Sequence, residues 1–138
     1  HLSFQFLKIH QKLYLRVAEI AAQNAKPFIL PTAPIKEVIV VMTQSRLGAA
    51  VVVNEAENIL GIITDGDLRR MLEKTANFEN LCAKDIMSSD PKTIASDVLA
   101  VNALEEMRTK NISQLIVDNN GTYGGIIHLH DLVKEGII

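Results

Sequence analysis

The chain carries one pattern twice, so its fold has to accommodate two copies of one unit. Gly61-Ile62-Ile63-Thr64-Asp65-Gly66-Asp67-Leu68 aligns with Gly125-Ile126-Ile127-His128-Leu129-His130-Asp131-Leu132. Val51, Val52 and Val53 answer to Leu115, Ile116 and Val117 at the same offset. Upstream, Ile35, Val38, Ile39 and Met42 answer to Ala100, Ala103, Leu104 and Met107, at an offset one position longer. The slip falls near Gly48-Ala49-Ala50, where the first copy has the extra position. Extra length in a connection costs little. Pro27 and Pro91 precede the two copies at the offset of the Gly61 and Gly125 pair.

Within each copy the periodicities follow one order. Ile35, Val38, Ile39 and Met42 fall on one face of a helix, with Pro34 suited to its first turn. The matching helix spans about 97–110, with Ser96 or Asp97 as its cap. Ala49 to Val53 is rich in β-branched residues and reads as a buried strand. A polar turn and a second strand, Ile59 to Thr64, complete a hairpin. The second copy gives Gln114 to Val117, a turn at Asp118-Asn119-Asn120-Gly121, and Tyr123 to His128. Helices of about Gly66–Lys74 and His130–Glu135 close the copies. Each repeat is therefore about β-α-β-β-α, and the fold class is α+β. A half of this size is small for an independent domain, which predicts two repeats packed sheet to sheet as one pseudo-twofold module with a shared core. The predicted division is 15–76 for the first repeat and 77–138 for the second. Residues 1–14 match neither and are expected to be a helix, a linker or an extraneous remnant.

Composition narrows the function. Fourteen Lys and Arg against 16 Asp and Glu leave a net charge of −2, which argues against a nucleic-acid partner. The chain has no Trp and only six Phe and Tyr, too few for a base-stacking platform. No apolar run approaches the roughly 20 residues of a membrane span, so no membrane partner is expected. Lys8, His10 and Lys12 interrupt the apolar start, unlike a signal peptide. A single Cys82 fits a reducing compartment, and a cytoplasmic location is expected. Cys82, and Met42, Met71, Met87 and Met107, read as structural residues. No Walker loop, Gly-x-Gly-x-x-Gly or Gly-x-Ser-x-Gly motif is present, and Asp65 with Asp67 makes no convincing acid–base pair. The chain alone is not expected to be an enzyme.

The paired Gly61-Ile62-Ile63-Thr64-x-x-Asp67-Leu68 motif, with Ala83-Lys84-Asp85-Ile86-Met87 ahead of Pro91, resembles the tandem CBS (cystathionine beta-synthase) domain pair, or Bateman module. The resemblance covers the chain from about Leu15 to its end. Thr64-Asp65-Gly66-Asp67-Leu68-Arg69-Arg70, Asp85-Ile86-Met87 and His128-Leu129-His130-Asp131-Leu132 further resemble the C-terminal part of KpsF/GutQ-family arabinose-5-phosphate isomerases. That family joins a sugar isomerase (SIS) domain to a CBS pair. The Thr64–Arg70 string is also similar to CBS pairs attached to sugar nucleotidyltransferases. The resemblance implies a regulatory module that takes a nucleotide or nucleotide-sugar, either CMP-Kdo or an adenine nucleotide. It requires no cofactor, modulates an SIS domain elsewhere in the parent protein, and forms a homodimer. The alternative is a ligand-free dimerisation and assembly module.

Eight residues are candidates for ligand contact: Thr64, Asp65, Asp67, Arg69, Arg70, His128, His130 and Asp131. The resemblance implies that Thr64 meets a phosphate and Asp67 a ribose. The helix start there offers free N–H groups to an anion. The structural alternative is that Thr64 caps the helix while Asp65 or Asp67 complements its dipole. Arg69 and Arg70 suit a phosphate or a sugar-acid carboxylate, or else form an exposed helix face or contact the partner domain. His128 replaces the Thr of the first copy. With His130 it shares one strand face if the strand continues that far, where the pair can face a ligand, pack, or join Asp131 at a metal. No metal site is assigned. Asp131 matches Asp67, and the resemblance implies a ribose contact for it as well.

Overall fold

The computed structural model describes residues 2–138. Its elements run α1 (Leu2–Tyr14), α2 (Val17–Ala21), β1 (Phe28–Ile29), α3 (Ile35–Ser45), β2 (Ala49–Val53), β3 (Ile59–Thr64), α4 (Asp65–Lys74) and α5 (Ala83–Ile86). They continue with β4 (Thr93–Ala95), α6 (Ala100–Lys110), β5 (Gln114–Asn119), β6 (Thr122–His128) and α7 (Leu129–Lys134). Two three-stranded sheets result, ordered β1-β2-β3 and β4-β5-β6. In the first, β1 runs parallel to β2 and β2 antiparallel to β3, with Val51 opposite Ile62. In the second, β4 runs parallel to β5. The α+β class and the repeated β-α-β-β-α order are both present.

The chain divides into two compact units whose membership does not follow the repeat in sequence. One unit holds residues 25–92 with 121–123; the other holds the described residues up to 24, with 93–120 and 124–138. The segment ahead of each copy therefore packs with the sheet of the other copy. Ala83 at the start of α5 donates from N–H to the Ala33 carbonyl at 2.9 Å, and Lys84 to that of Pro31 at 2.9 Å. Val17 at the start of α2 donates to the Val98 carbonyl at 2.9 Å, and Ala100 returns a bond to Leu15 at 2.7 Å.

Each unit has its own apolar cluster. In the first, Ile29, Val38, Met42, Ala50, Val52, Ile63 and Ala83 come together. In the other, Val17, Ile20, Ala100, Leu104, Met107, Leu115, Ile127 and Leu132 do so. Ile63 is fully buried, which is worth about 1.5–3 kcal/mol relative to exposure. All five residues of β2 are buried, and a strand covered on both faces reads as an unbroken apolar run, not an alternating one. Met42, Met71 and Met107 are buried and Met87 packs on the first cluster, as core fillers do.

Several boundaries differ from the sequence reading. Residues 2–14 form a helix, one of the forms the sequence left open, and among them Phe4, Phe6, Leu7, Ile9, Leu13 and Tyr14 are exposed. Pro34 stands one position earlier than expected, as the extended cap of α3. The cap of α6 is Leu99, not Ser96 or Asp97, because the helix starts at Ala100. Ser96 lies ahead of that start, its backbone N–H donating to the Asp118 carbonyl at 3.0 Å.

Candidate functional site

The junction of β3 and α4 brings three of the predicted residues, Thr64, Asp67 and Arg70, together. Thr64 is the extended cap of α4, and Asp67 occupies the third helical position of a capping box. The Thr64 N–H donates to Asp67 Oδ2 at 2.9 Å, and the Thr64 hydroxyl donates to the same oxygen at 3.2 Å. Arg70, one turn on, donates from Nη2 to Asp67 Oδ1 at 2.7 Å, and Ser88 Oγ donates to that oxygen at 3.0 Å. Asp67 is thus a charged residue only 7% exposed, with four donors on it. Burial pushes its pKa up. The hydrogen bonds from the Thr64 N–H, Arg70, Ser88 and the Thr64 hydroxyl outweigh burial and hold it below the ordinary aspartate value.

The remaining candidates are less enclosed. Asp65 is exposed, and its N–H donates to the Gly48 carbonyl at 3.3 Å. Arg69 is exposed on the same helix. The Arg70 side chain is 59% exposed and lies back over Gly66. A Cβ at Gly66 would come within 3.2 Å of Arg70 Nη1, so the glycine leaves room for the guanidinium.

The second copy rebuilds the box with different chemistry. His128 caps α7, and its N–H donates to Asp131 Oδ2 at 2.7 Å. Its Nδ1 accepts from the His130 N–H at 3.0 Å. The strand stops at His128, so His130 belongs to α7 and the two rings do not share a strand face. Asp131 also accepts from Asn24 Nδ2 at 2.9 Å, and the same amide donates to the Ile126 carbonyl at 3.0 Å. Among the described residues no group of three or more His, Cys, Asp or Glu side chains is placed to hold a metal.

Asn24 and Ser88 were missed as site residues. Their signal was present: they occupy equivalent positions of the repeat, each just ahead of a copy. Lys74 was also missed. It lies one helical turn after Arg70, and both line a pocket of about 280 Å³ in the first unit. Asp67, Thr75 and Asp85 line it too, over the apolar side chains of Met71, Leu81 and Ile86. Asp85 accepts from the Cys82 N–H at 2.8 Å and from Cys82 Sγ at 3.2 Å. Those bonds hold its carboxyl below the ordinary value. Arg70 and Lys74 thus set two cations beside an apolar floor and a buried carboxylate.

The CBS domain model matches residues 17–74 and again 83–137. The chain belongs to the CBS domain family. As a tandem CBS pair it resembles the C-terminal part of arabinose 5-phosphate isomerases. It is 30% identical over 129 residues to arabinose 5-phosphate isomerase KdsD of Yersinia pestis, covering 93% of this chain and 39% of that protein. It is 36% identical over 126 residues to KdsD of Francisella tularensis, covering 90% of this chain and 38% of the relative. The CBS pair therefore spans about two fifths of the length of these relatives. Among solved structures, the CBS domain protein PAE2072 from Pyrobaculum aerophilum, complexed with AMP, superposes with a TM-score of 0.73. It is 26% identical, covering 86% of this chain and 90% of that one. Among the described residues, no helix of this CBS pair is long and apolar enough to cross a membrane.

Proposed function

We propose that this CBS pair is the ligand-sensing regulatory part of a larger cytoplasmic arabinose-5-phosphate isomerase, and that it biases an SIS catalytic domain by binding a nucleotide or nucleotide-sugar. The observation that carries this reading is Asp67, a buried carboxylate at a helix start beside a pocket with two cations and an apolar floor. A carboxylate can accept from both hydroxyls of a ribose, cations pair with phosphate, and the apolar surface suits a base. The AMP bound by the Pyrobaculum protein supports an adenine nucleotide. The similarity to KdsD supports CMP-Kdo, a product downstream of the isomerase reaction. Regulation requires unequal affinity for two states of the parent protein. In this reading the module is a homodimer, which light scattering of the purified chain tests. Thermal denaturation with AMP, ATP, CMP or CMP-Kdo tests the ligand: stabilisation by one nucleotide class supports the reading, and none by any of them counts against it.

A second reading is favoured by a specific observation. Both box aspartates already have donors inside the protein, and His128 replaces the hydroxyl residue of the first copy. A ligand-free assembly module needs nothing more from these residues than capping.

A further inference from the structure

Asp67 is full. A carboxylate offers about four lone-pair positions. Arg70 and Ser88 occupy Oδ1, while the Thr64 N–H and hydroxyl occupy Oδ2. A ligand hydroxyl can reach this carboxylate only by displacing a donor already there. The donors differ in how freely they leave. The Thr64 N–H is fixed by the strand-to-helix turn. Ser88 is tied through its backbone to Ile62, with bonds of 2.8 and 3.0 Å in the two directions. The Thr64 hydroxyl, at 3.2 Å the longest of the four bonds, lies with the Thr64 N–H on Oδ2, and neither Thr64 nor Ser88 lines the pocket from which a ligand would approach, whereas Arg70 does. Arg70 is held to Asp67 by its guanidinium, is 59% exposed, and has a long flexible stem that can swing into the adjoining pocket.

We propose that Arg70 is a displaceable latch on Asp67 that sets ligand specificity, admitting a diol only when the same ligand carries an anionic group. The inference rests on the ligand-binding reading above. Opening the latch breaks a charge-assisted hydrogen bond. A neutral nucleoside replaces it with neutral hydrogen bonds and leaves the guanidinium without a charged partner. A nucleotide restores the charge pairing, because its phosphate meets Arg70 where Lys74, one turn further along α4, lines the same pocket. Among the described residues Lys74 is in no ion pair, so it is available to that phosphate. The ligand class is therefore a ribonucleoside phosphate or a nucleotide joined to an acidic sugar. The latch is confined to the first copy. The residue matching Arg70 is Lys134, and among the described residues Asp131 carries no ion pair, its side-chain partner being the neutral Asn24 amide.

The test is calorimetric titration of wild type, Arg70→Ala and Arg70→Gln with two pairs of probes, AMP against adenosine and CMP against cytidine. The expected result is at least a tenfold wild-type preference for one nucleotide over its nucleoside. In both variants the nucleoside should bind more tightly than it does to wild type, by about fivefold or more, while the nucleotide loses affinity. The nucleoside gain is the decisive readout, since an arginine that only contacted phosphate would leave nucleoside affinity unchanged. Wild-type nucleotide binding with no nucleoside gain in either folded variant overturns the latch and leaves the ligand site standing. Failure of all three proteins to bind any of the four probes overturns the latch together with the site. Arg70→Gln keeps most of the stem packing and is the deciding variant should Arg70→Ala fail to fold.

Discussion

Ser88 donates from Oγ to Asp67 Oδ1 at 3.0 Å across 21 residues of sequence. Its counterpart in the repeat, Asn24, donates to Asp131 at 2.9 Å across 107. Each box aspartate is thus secured by a side chain from the segment ahead of the other copy. The capping box is a local device, and these two bonds tie it to distant backbone. A change at either aspartate should reach beyond its own helix.

Asp67→Asn keeps an acceptor for the Thr64 N–H but removes the charge that Arg70 and Ser88 address. Hydrogen bonds to charged groups are worth about 1.5–3 kcal/mol each, and part of that survives with the amide. The expected loss is about 1–3 kcal/mol in urea denaturation. Arg70→Ala alone should cost less, because its guanidinium is largely exposed.

Acid should expose the same contact. The folded-state pKa of Asp67 lies below its unfolded value, so the unfolded chain binds the extra proton first. The stabilisation is fully present above the unfolded value of about 4 and disappears as pH falls through the folded one. Denaturation midpoints between pH 6 and pH 3 should fall more steeply for wild type than for Asp67→Asn. Parallel profiles would remove Asp67 from the acid response.

Gly61→Ala should be among the most damaging single substitutions. An added Cβ would lie 2.7 Å from Met87 Sδ and 2.8 Å from the Ser88 carbonyl oxygen. Methionine can move, but the Ser88 backbone is paired with Ile62 on both sides. Overpacking of this kind costs about 1–3 kcal/mol. The side effect to look for is a weakened Ser88–Asp67 contact, read as a raised Asp67 pKa by carbon-detected NMR.

Tyr123→Phe tests a buried phenol. Its hydroxyl donates to the Pro27 carbonyl at 2.8 Å, the residue is 3% exposed, and burial pushes its pKa up. The variant should lose about 1 kcal/mol, since the carbonyl is left without its donor. A loss within the error of the denaturation curve would mean that water replaces the phenol.

The hairpins and the long helices were legible because hydrophobic period and repeat agreed at the positions that matter, Val51 to Val53 with Leu115 to Val117 and Gly61 to Ile63 with Gly125 to Ile127. The exchange of the lead-in segments was not. The repeat places Val17–Asn24 and Ala83–Ser88 ahead of their own copies in sequence, and only the tertiary hydrogen bonds reveal that they pack on the sheet of the other copy. The two-residue β1 and three-residue β4 are too short to carry a period. His128 ends its strand because its backbone and ring cap α7, and nothing in the spacing of two histidines announces that. The saturation of Asp67 was invisible for a related reason: Ser88 is distant in sequence, and Arg70 offered itself equally as a ligand cation or a solvated charge.

A ligand-sensing role for this module requires that the first box bind a ligand. The direct measurement is thermal denaturation of wild type, Asp67→Asn and Asp131→Asn, each with and without AMP and CMP-Kdo. A ligand at about 100 times its dissociation constant stabilises a fold by about 2.7 kcal/mol, a readable shift. The expected result is a rise in melting temperature for wild type and Asp131→Asn with at least one of the two ligands, and its loss in Asp67→Asn. An equal rise in Asp67→Asn, or no rise in any protein, would contradict it and leave the two aspartates as capping residues of an assembly module.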